Sequence, residues 1–327
     1  MTVIIRKFAH FCQRLFSQIA HLPKYVNNFG IKVALYIIVD RLFPPGRSKR
    51  YQKAVYQYLH SEFSDIVNEG YNEDYNKTGS TQTDESVRTI WVCWFQGEEN
   101  MPELVRMCYK NLQNKIAGSE INLILLTYQN IDQYVEIPNY IKEKYHNGII
   151  SNAHYSDILR VKLLRKYGGC WMDATIFATD YIPDDLFEKQ FHTLKMHPEL
   201  CPSEPCLGLW SFFFLAGQKG FALFNIIDDC LDRYWRKHTE AIDYIMTDYI
   251  MLAAYRNNPE VRDVMDSVPY NNERLWLLWN NLENPFDNRL YQEIWSNGQF
   301  YKLSYQKILN KEVNGRETFY GYLTSHH

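Results

Sequence analysis

Asp157, Arg160 and Asp173 are the residues whose types and spacing could do chemistry in this sequence. Asp157 and Arg160 are three apart, which puts them on one face of a helix. A carboxylate accepts from two adjacent hydroxyls and a guanidinium donates in a fixed fork, so the pair suits the orientation of a polyhydroxylated ligand. Asp173 falls in the middle of the apolar run 170–177, where a charge is expensive unless it is paired or holds a metal ion. Each residue also has a plain structural reading. Asp157 and Arg160 could form a helix-surface pair contributing about 0.3–0.5 kcal/mol, and Asp173 could cap a turn. Joined in one spacing with Gly168-Gly169, they favour the chemical reading.

The elements that must position them are legible around that stretch. Ser156 can cap a helix whose Ile158, Leu159, Val161, Leu163 and Leu164 pack inward. Arg165 and Lys166 suit its carboxyl end, and Gly168 or Gly169 supplies a left-handed stop. The chain then enters a short strand, 170–177, with Asp173 inside it. Upstream, 87–97 is an apolar run closing on Gly97, 102–116 reads as a helix with Pro102 in its first turn, and 121–127 is a second buried strand. A helix around 139–146 follows, and 211–220 reads as a buried strand ending in a turn. This alternation predicts an α/β sheet of largely parallel strands, whose ligands gather at the strands' carboxyl ends.

The pattern SD-x-x-R, a Leu-rich helix, then GG-x-x-x-D-x-T resembles the DXD-containing glycosyltransferases that share the GT-A (Rossmann-like) fold. Within them it is most similar to the capsular-polysaccharide-synthesis branch, related to fungal outer-chain mannosyltransferases and to the sugar-transferring domains of large clostridial toxins. The likeness runs over about 88–325: the opening Trp-Val-Cys-Trp-Phe-Gln-Gly, Pro102, the central stretch, and Lys302-Leu-Ser-Tyr305. The resemblance implies roles for matching residues. Asp173 would hold the donor diphosphate through a divalent cation, usually manganese or else magnesium, and Asp157 and Arg160 would bind the donor's sugar hydroxyls. Trp94 would lie against the nucleobase, and Trp171 would line the same pocket. The second acidic position of the motif is Thr175 here, whose hydroxyl would help Asp173 hold the metal, or its water, and the donor, but brings no charge. His326 and His327 are candidate further metal ligands, or simply the chain's end.

Other positions carry weaker signals. Asp248 opens a helical stretch, as a cap or as an acceptor contact. Trp276 and Trp279, three apart, read as core rather than as a sugar platform. His192, His197 and His238 lack ligand spacing and read as surface histidines. No Ser/His/Asp set, GxxxxGK loop or GxGxxG fingerprint occurs.

Composition bounds the rest. The 327 residues are 46% hydrophobic and 22% charged, which excludes a disordered or fibrous chain, and a net charge of −3 argues against nucleic acid as a partner. Aromatics reach 16%, which suits gripping sugars or touching a membrane interface and would also follow from an AT-biased genome. Seven cysteines at irregular spacing read as reduced thiols. Charge is uneven: residues 1–60 hold ten Lys or Arg against Asp40 alone, leaving −12 for the remaining 267. Residues 3–20 and 30–43 read as amphipathic helices, the second ending at Pro44-Pro45-Gly46. They predict either an anchor on anionic lipid through residues 1–50 or helices packed on the main domain. No run approaches the ~20 apolar residues of a membrane span, and no secretory signal is evident.

The expected organisation is thus a basic helical extension over 1–67, a polar linker or loop over 68–86, and a GT-A-type domain over 87–327. The expected activity is retaining transfer of a sugar from a UDP- or GDP-linked donor to a lipid-linked or polysaccharide acceptor in capsule, exopolysaccharide or lipopolysaccharide synthesis. Such an enzyme would be cytoplasmic and peripheral on the inner face of the cell membrane. The alternatives are a sugar-phosphate transferase and a catalytically silent assembly scaffold.

Overall fold

The computed structural model describes residues 2–43, 47–68, 88–296 and 300–326, with side chains from residue 12 onward. The helices are α1 (Thr2–Leu42), α2 (Lys49–Asn68), α3 (Glu103–Lys115), α4 (Ile131–Tyr134), α5 (Asn139–His146) and α6 (Asn152–Tyr167). They continue with α7 (Ala222–Lys237), α8 (Met246–Asn257), α9 (Pro259–Ser267), α10 (Leu277–Asn281), α11 (Asn288–Ser296) and α12 (Phe319–His326). The strands are β1 (Thr89–Cys93), β2 (Asn122–Leu126), β3 (Gly169–Met172), β4 (Ile176–Ala178), β5 (Phe191–Thr193), β6 (Phe214–Gly217), β7 (Phe300–Lys302), β8 (Glu312–Val313) and β9 (Arg316–Glu317).

The main sheet has the order β2-β1-β3-β6-β5. β2, β1 and β3 are parallel, β6 runs antiparallel to β3, and β5 runs antiparallel to β6. The sheet is therefore mixed, parallel where the βα alternation predicts it and antiparallel on the far side. Successive residues point to opposite faces of a strand. Trp91, Trp171 and Leu215 accordingly enter one core, built with α6, α7 and α8. Ile90, Val92, Cys170, Met172, Phe214 and Ala216 enter the other, under α3. The result is a three-layer α/β architecture preceded by helices, as the sequence predicts.

Two glycines fix the turn from α6 into β3. Gly168 has φ +73° and Gly169 φ +89°. A Cβ on Gly168 would stand 2.7 Å from the Lys219 nitrogen, and one on Gly169 would stand 2.5 Å from the Thr89 oxygen. Only glycine meets both demands.

Several expectations are corrected. The apolar run 170–177 is not one strand: β3 ends at Met172, Asp173 starts a turn closed by Ile176 N–H to the Asp173 carbonyl at 2.9 Å, and β4 leaves to pair with β7. A carboxylate inside a strand buried on both faces would stay unsolvated, and the turn brings it to the strand's carboxyl end. The cap of α6 is Ser151, accepting from His154 N–H, so the helix begins before Ser156. Trp276 precedes α10 instead of sharing it with Trp279, and is 38% exposed. His238 is buried, with Nε2 3.0 Å from Glu62 Oε1. His192 is partly buried, its imidazole pushed down to about 4 by burial, while His197 is exposed beside Glu273.

The two amino-terminal helical stretches form one run, α1, broken at Gly30 where φ is 76° and ψ 162°. One side of it is buried in the larger core through Tyr25, Phe29, Ala34, Ile37 and Ile38. α2 joins the same core through Val55, Leu59 and Phe63, and Arg233 grips Asp65 with both terminal nitrogens at 2.6 and 2.7 Å. The polar stretch expected as a linker lies, apart from Asn68, outside the described residues. All seven cysteines are free thiols. No helix among the described residues is long and apolar enough to cross a membrane.

Candidate active site

The site forms where α6 begins and β3 ends. Arg160 is the hub, with a side chain only 5% exposed. One terminal nitrogen donates to Asp157 Oδ1 and the other to Asp173 Oδ1, each at 3.1 Å. Its guanidinium lies 4.8 Å from the Trp171 ring and 4.4 Å from the Phe212 ring, a sandwich that holds a weakly hydrated planar cation well. Its Nε is buried without a hydrogen-bond partner. The three residues picked out by spacing are thus one bonded unit.

Each carboxylate has further partners. Asp157 Oδ2 accepts from Thr247 Oγ1 at 3.1 Å, which ties the first turn of α8 to α6. Burial raises the Asp157 carboxyl above its ordinary value, against the pull of Arg160. Asp173 Oδ1 also accepts from Trp171 Nε1 at 3.0 Å, and its Oδ2 accepts from Lys302 Nζ at 2.7 Å. Burial pushes Asp173 up, but Lys302 and Arg160 together hold it below the usual carboxylate range. Asp173 is therefore an anion, and it remains 29% exposed to a ligand.

Lys302 is the residue that spacing does not reveal. Its Nζ also reaches Thr175 Oγ1 at 2.8 Å and lies 4.7 Å from the Phe213 ring. The pairing of β4 with β7 sets it there: Ile176 is in register with Lys302, and Leu303 N–H donates to the Thr175 carbonyl at 2.9 Å. The same segment brings Tyr305 edge-on to Trp94, ring centres 5.3 Å apart. Trp94 follows β1 and is half-buried, and Tyr305 is half exposed. For Lys302 and Tyr305 the only sequence signal is the Lys302–Tyr305 segment itself.

Other predicted residues land as follows. Trp171 is 1% exposed, so its ring supports Asp173 and Arg160 and offers no open face. Asp248 lies in the first turn of α8 but does not cap it; it accepts from Trp210 Nε1 at 2.9 Å. Burial, and then the charge of Asp157, push its carboxyl up to about 7. Tyr244, 65% exposed, stands close enough to Asp157 and Asp173 that their charges raise its hydroxyl further after burial has done so. His326 ends α12 exposed, 2.8 Å from the Tyr322 carbonyl and stacked on the Tyr322 ring, and its hydrogen bond is thus within its own helix. His327 lies outside the described residues.

The donor set fits a divalent cation poorly. Hard divalent ions take about six or more oxygen ligands. Asp173 and Thr175 bring one charge, and their facing oxygens already bind an ammonium. No group of three or more His, Cys, Asp or Glu is gathered for a metal among the described residues.

The profile of the capsular polysaccharide synthesis protein family matches residues 46–323. The chain belongs to that family. Two fungal proteins share a shorter segment with it. An O-glycosyltransferase, braB, of Annulohypoxylon truncatum is 28% identical over 112 residues, 32% of this chain and 26% of the relative. The O-glycosyltransferase PaGT of Phomopsis amygdali is 26% identical over 110 residues, 31% of this chain and 26% of the relative. The match thus spans about a quarter of the length of these relatives. A solved structure, PaToxG glycosyltransferase, aligns over 76% of this chain and 94% of its own at 14% identity, with a TM-score of 0.35. Glycosyl transfer is the type of function supported at the level of the family.

Proposed function

We propose that the chain transfers a sugar from a nucleotide-sugar donor, UDP- or GDP-linked, to a growing capsular, exopolysaccharide or lipopolysaccharide glycan. The observation that carries this reading is the Asp157–Arg160–Asp173 unit at the carboxyl end of β3. It joins two carboxylates, acceptors for sugar hydroxyls, to one guanidinium, with Lys302 bonded to Asp173 and the exposed rings of Tyr244 and Tyr305 in the same region. A buried, bonded unit of this kind holds its geometry before the ligand arrives, so binding costs little reorganisation. Both carboxylates are already tied to Arg160, and a covalent intermediate on either would first break that pairing. We therefore favour a front-face displacement with retention at the anomeric carbon.

The deciding experiment is a panel of UDP- and GDP-sugars with the purified chain, following free nucleotide for the wild type and Asp173→Ala, and the anomeric configuration of any glycan product by NMR. Release from one donor, lost in the variant, supports the transferase. A product that keeps a phosphate would show a sugar-phosphate transferase, and binding without turnover even with acceptor would favour the scaffold.

We further propose that the enzyme docks on anionic lipid at the inner membrane face. Phe16, Ile19, Ile31, Leu35 and Val39 are each at least half exposed along α1, on the side away from the core. Ile31, Leu35 and Val39 recur every four residues and so form one stripe. Arg14 and Lys32 on the same helix, and Arg50 and Lys53 on α2, are also exposed. An apolar stripe with cations suits insertion at the headgroup level.

A further inference from the structure

Lys302 comes from near the far end of the sequence, yet it sits on the two oxygens from which a metal ion would have to hang. We propose that its ammonium is the resident cation of this site, neutralising the donor diphosphate so that transfer runs without a divalent ion. The inference rests on the glycosyltransferase reading above.

Three observations support it. Nζ is 2.7 Å from Asp173 Oδ2 and 2.8 Å from Thr175 Oγ1, so the place of a metal beside the motif is filled. Thr175 is a neutral hydroxyl where a second carboxylate would favour a dication, and a hydroxyl accepts from an ammonium without adding charge. The charge count of the cluster also points this way. Asp157 and Asp173 face Arg160 and Lys302, two carboxylates bonded to two cations, so within this bonded cluster of described residues the charges balance and little is left to attract a dication. A diphosphate would instead meet Lys302, the more exposed of the two cations. Lys302 is held by the β4–β7 pairing and stays 14% exposed, reachable by a ligand yet fixed in position.

In the transfer step, the bond from the anomeric carbon to the diphosphate oxygen breaks, and its electron pair leaves on that oxygen. The acceptor's hydroxyl oxygen forms the new bond to the same carbon, and its proton passes to the departing phosphate oxygen. Lys302 keeps its proton throughout, and its positive charge offsets the negative charge that gathers on the leaving group.

The test uses the full chain and the same UDP- and GDP-sugar panel. Donor binding by calorimetry and nucleotide release are measured in EDTA and in manganese, for the wild type, Lys302→Gln and Lys302→Arg. The expected result is equal binding and release by the wild type in EDTA and in manganese. Lys302→Gln should lose about a hundred-fold in release, and Lys302→Arg should keep part of it. Wild-type binding that vanishes in EDTA would overturn the lysine proposal while leaving the transferase intact, as would a Lys302→Gln enzyme of unchanged rate. No donor bound under either condition would remove the transferase reading itself. Should Lys302→Gln fail to fold, the wild-type comparison and the charge-keeping Lys302→Arg decide the matter.

Discussion

Trp210 Nε1 donates to Asp248 Oδ1 at 2.9 Å, and this one bond ties the loop before β6 to the first turn of α8. The carboxyl it holds is pushed up to about 7 by burial, whereas in the unfolded chain an aspartate titrates near ~3.9. Between those values the folded protein holds a proton that the unfolded chain has released, so stability falls as pH rises through the window. From about pH 4.5 to 7, the wild-type melting temperature should therefore drop relative to that of Asp248→Asn, and above about pH 8 the two should run parallel. Curves that stay parallel throughout would show that Asp248 ionises like an exposed acid.

Arg160 bonds both carboxylates through separate nitrogens, which one ammonium cannot do. Arg160→Lys should fold but lose about a hundred-fold or more in donor turnover. Arg160→Met should in addition lose stability, by about 3–5 kcal/mol, because it leaves the buried Asp157 without a cation while Asp173 keeps only Lys302. Thermal melts and nucleotide release on the same preparations separate the two effects. Full turnover by Arg160→Lys would mean that the fork geometry is irrelevant.

Gly169 and Gly118 provide a matched pair. Both have positive φ, but a Cβ on Gly169 meets the Thr89 oxygen at 2.5 Å, whereas one on Gly118 meets nothing within 4 Å. Gly169→Ala should cost roughly 2–5 kcal/mol and Gly118→Ala about 1. Urea unfolding of both variants checks this, and equal losses would put the whole cost in backbone strain.

Replacing Phe16, Leu35 and Val39 with Ser should lower binding to vesicles containing anionic lipid by at least about ten-fold, because each exposed side chain contributes about 1.5–3 kcal/mol when fully buried. Nucleotide release should be unchanged, since these side chains lie on α1 with the opposite side of the helix in the core. Flotation of the variant at wild-type levels would end the membrane reading.

How much of this was legible in the sequence follows from the range of the signals. Asp157 and Arg160 belong to one helix turn, and Gly168 and Gly169 mark its stop, so local rules suffice to place them beside Asp173. The strand beyond is not legible, because 170–177 is apolar almost throughout, and hydropathy cannot show a chain that turns after Met172 into a second small sheet. Ser156 looked like a cap, but the helix already starts under Ser151, since serine serves either position equally well as a type. His238 reads as polar and exposed until Glu62, far away in sequence, covers it. Lys302 was hidden most completely: a lone lysine carries no periodicity, and only the antiparallel pairing of β7 with β4 gives it a carboxylate.

That pairing also has a consequence in time. A ribosome makes Asp173 well before it makes Lys302, and β4 acquires its partner strand only once β7 has been made. Until then the growing chain carries Asp157, Arg160 and Asp173 without the lysine proposed to meet the donor's phosphate. A chain lacking β7 would therefore lack the lysine side of the proposed site, whatever else of the sheet it kept.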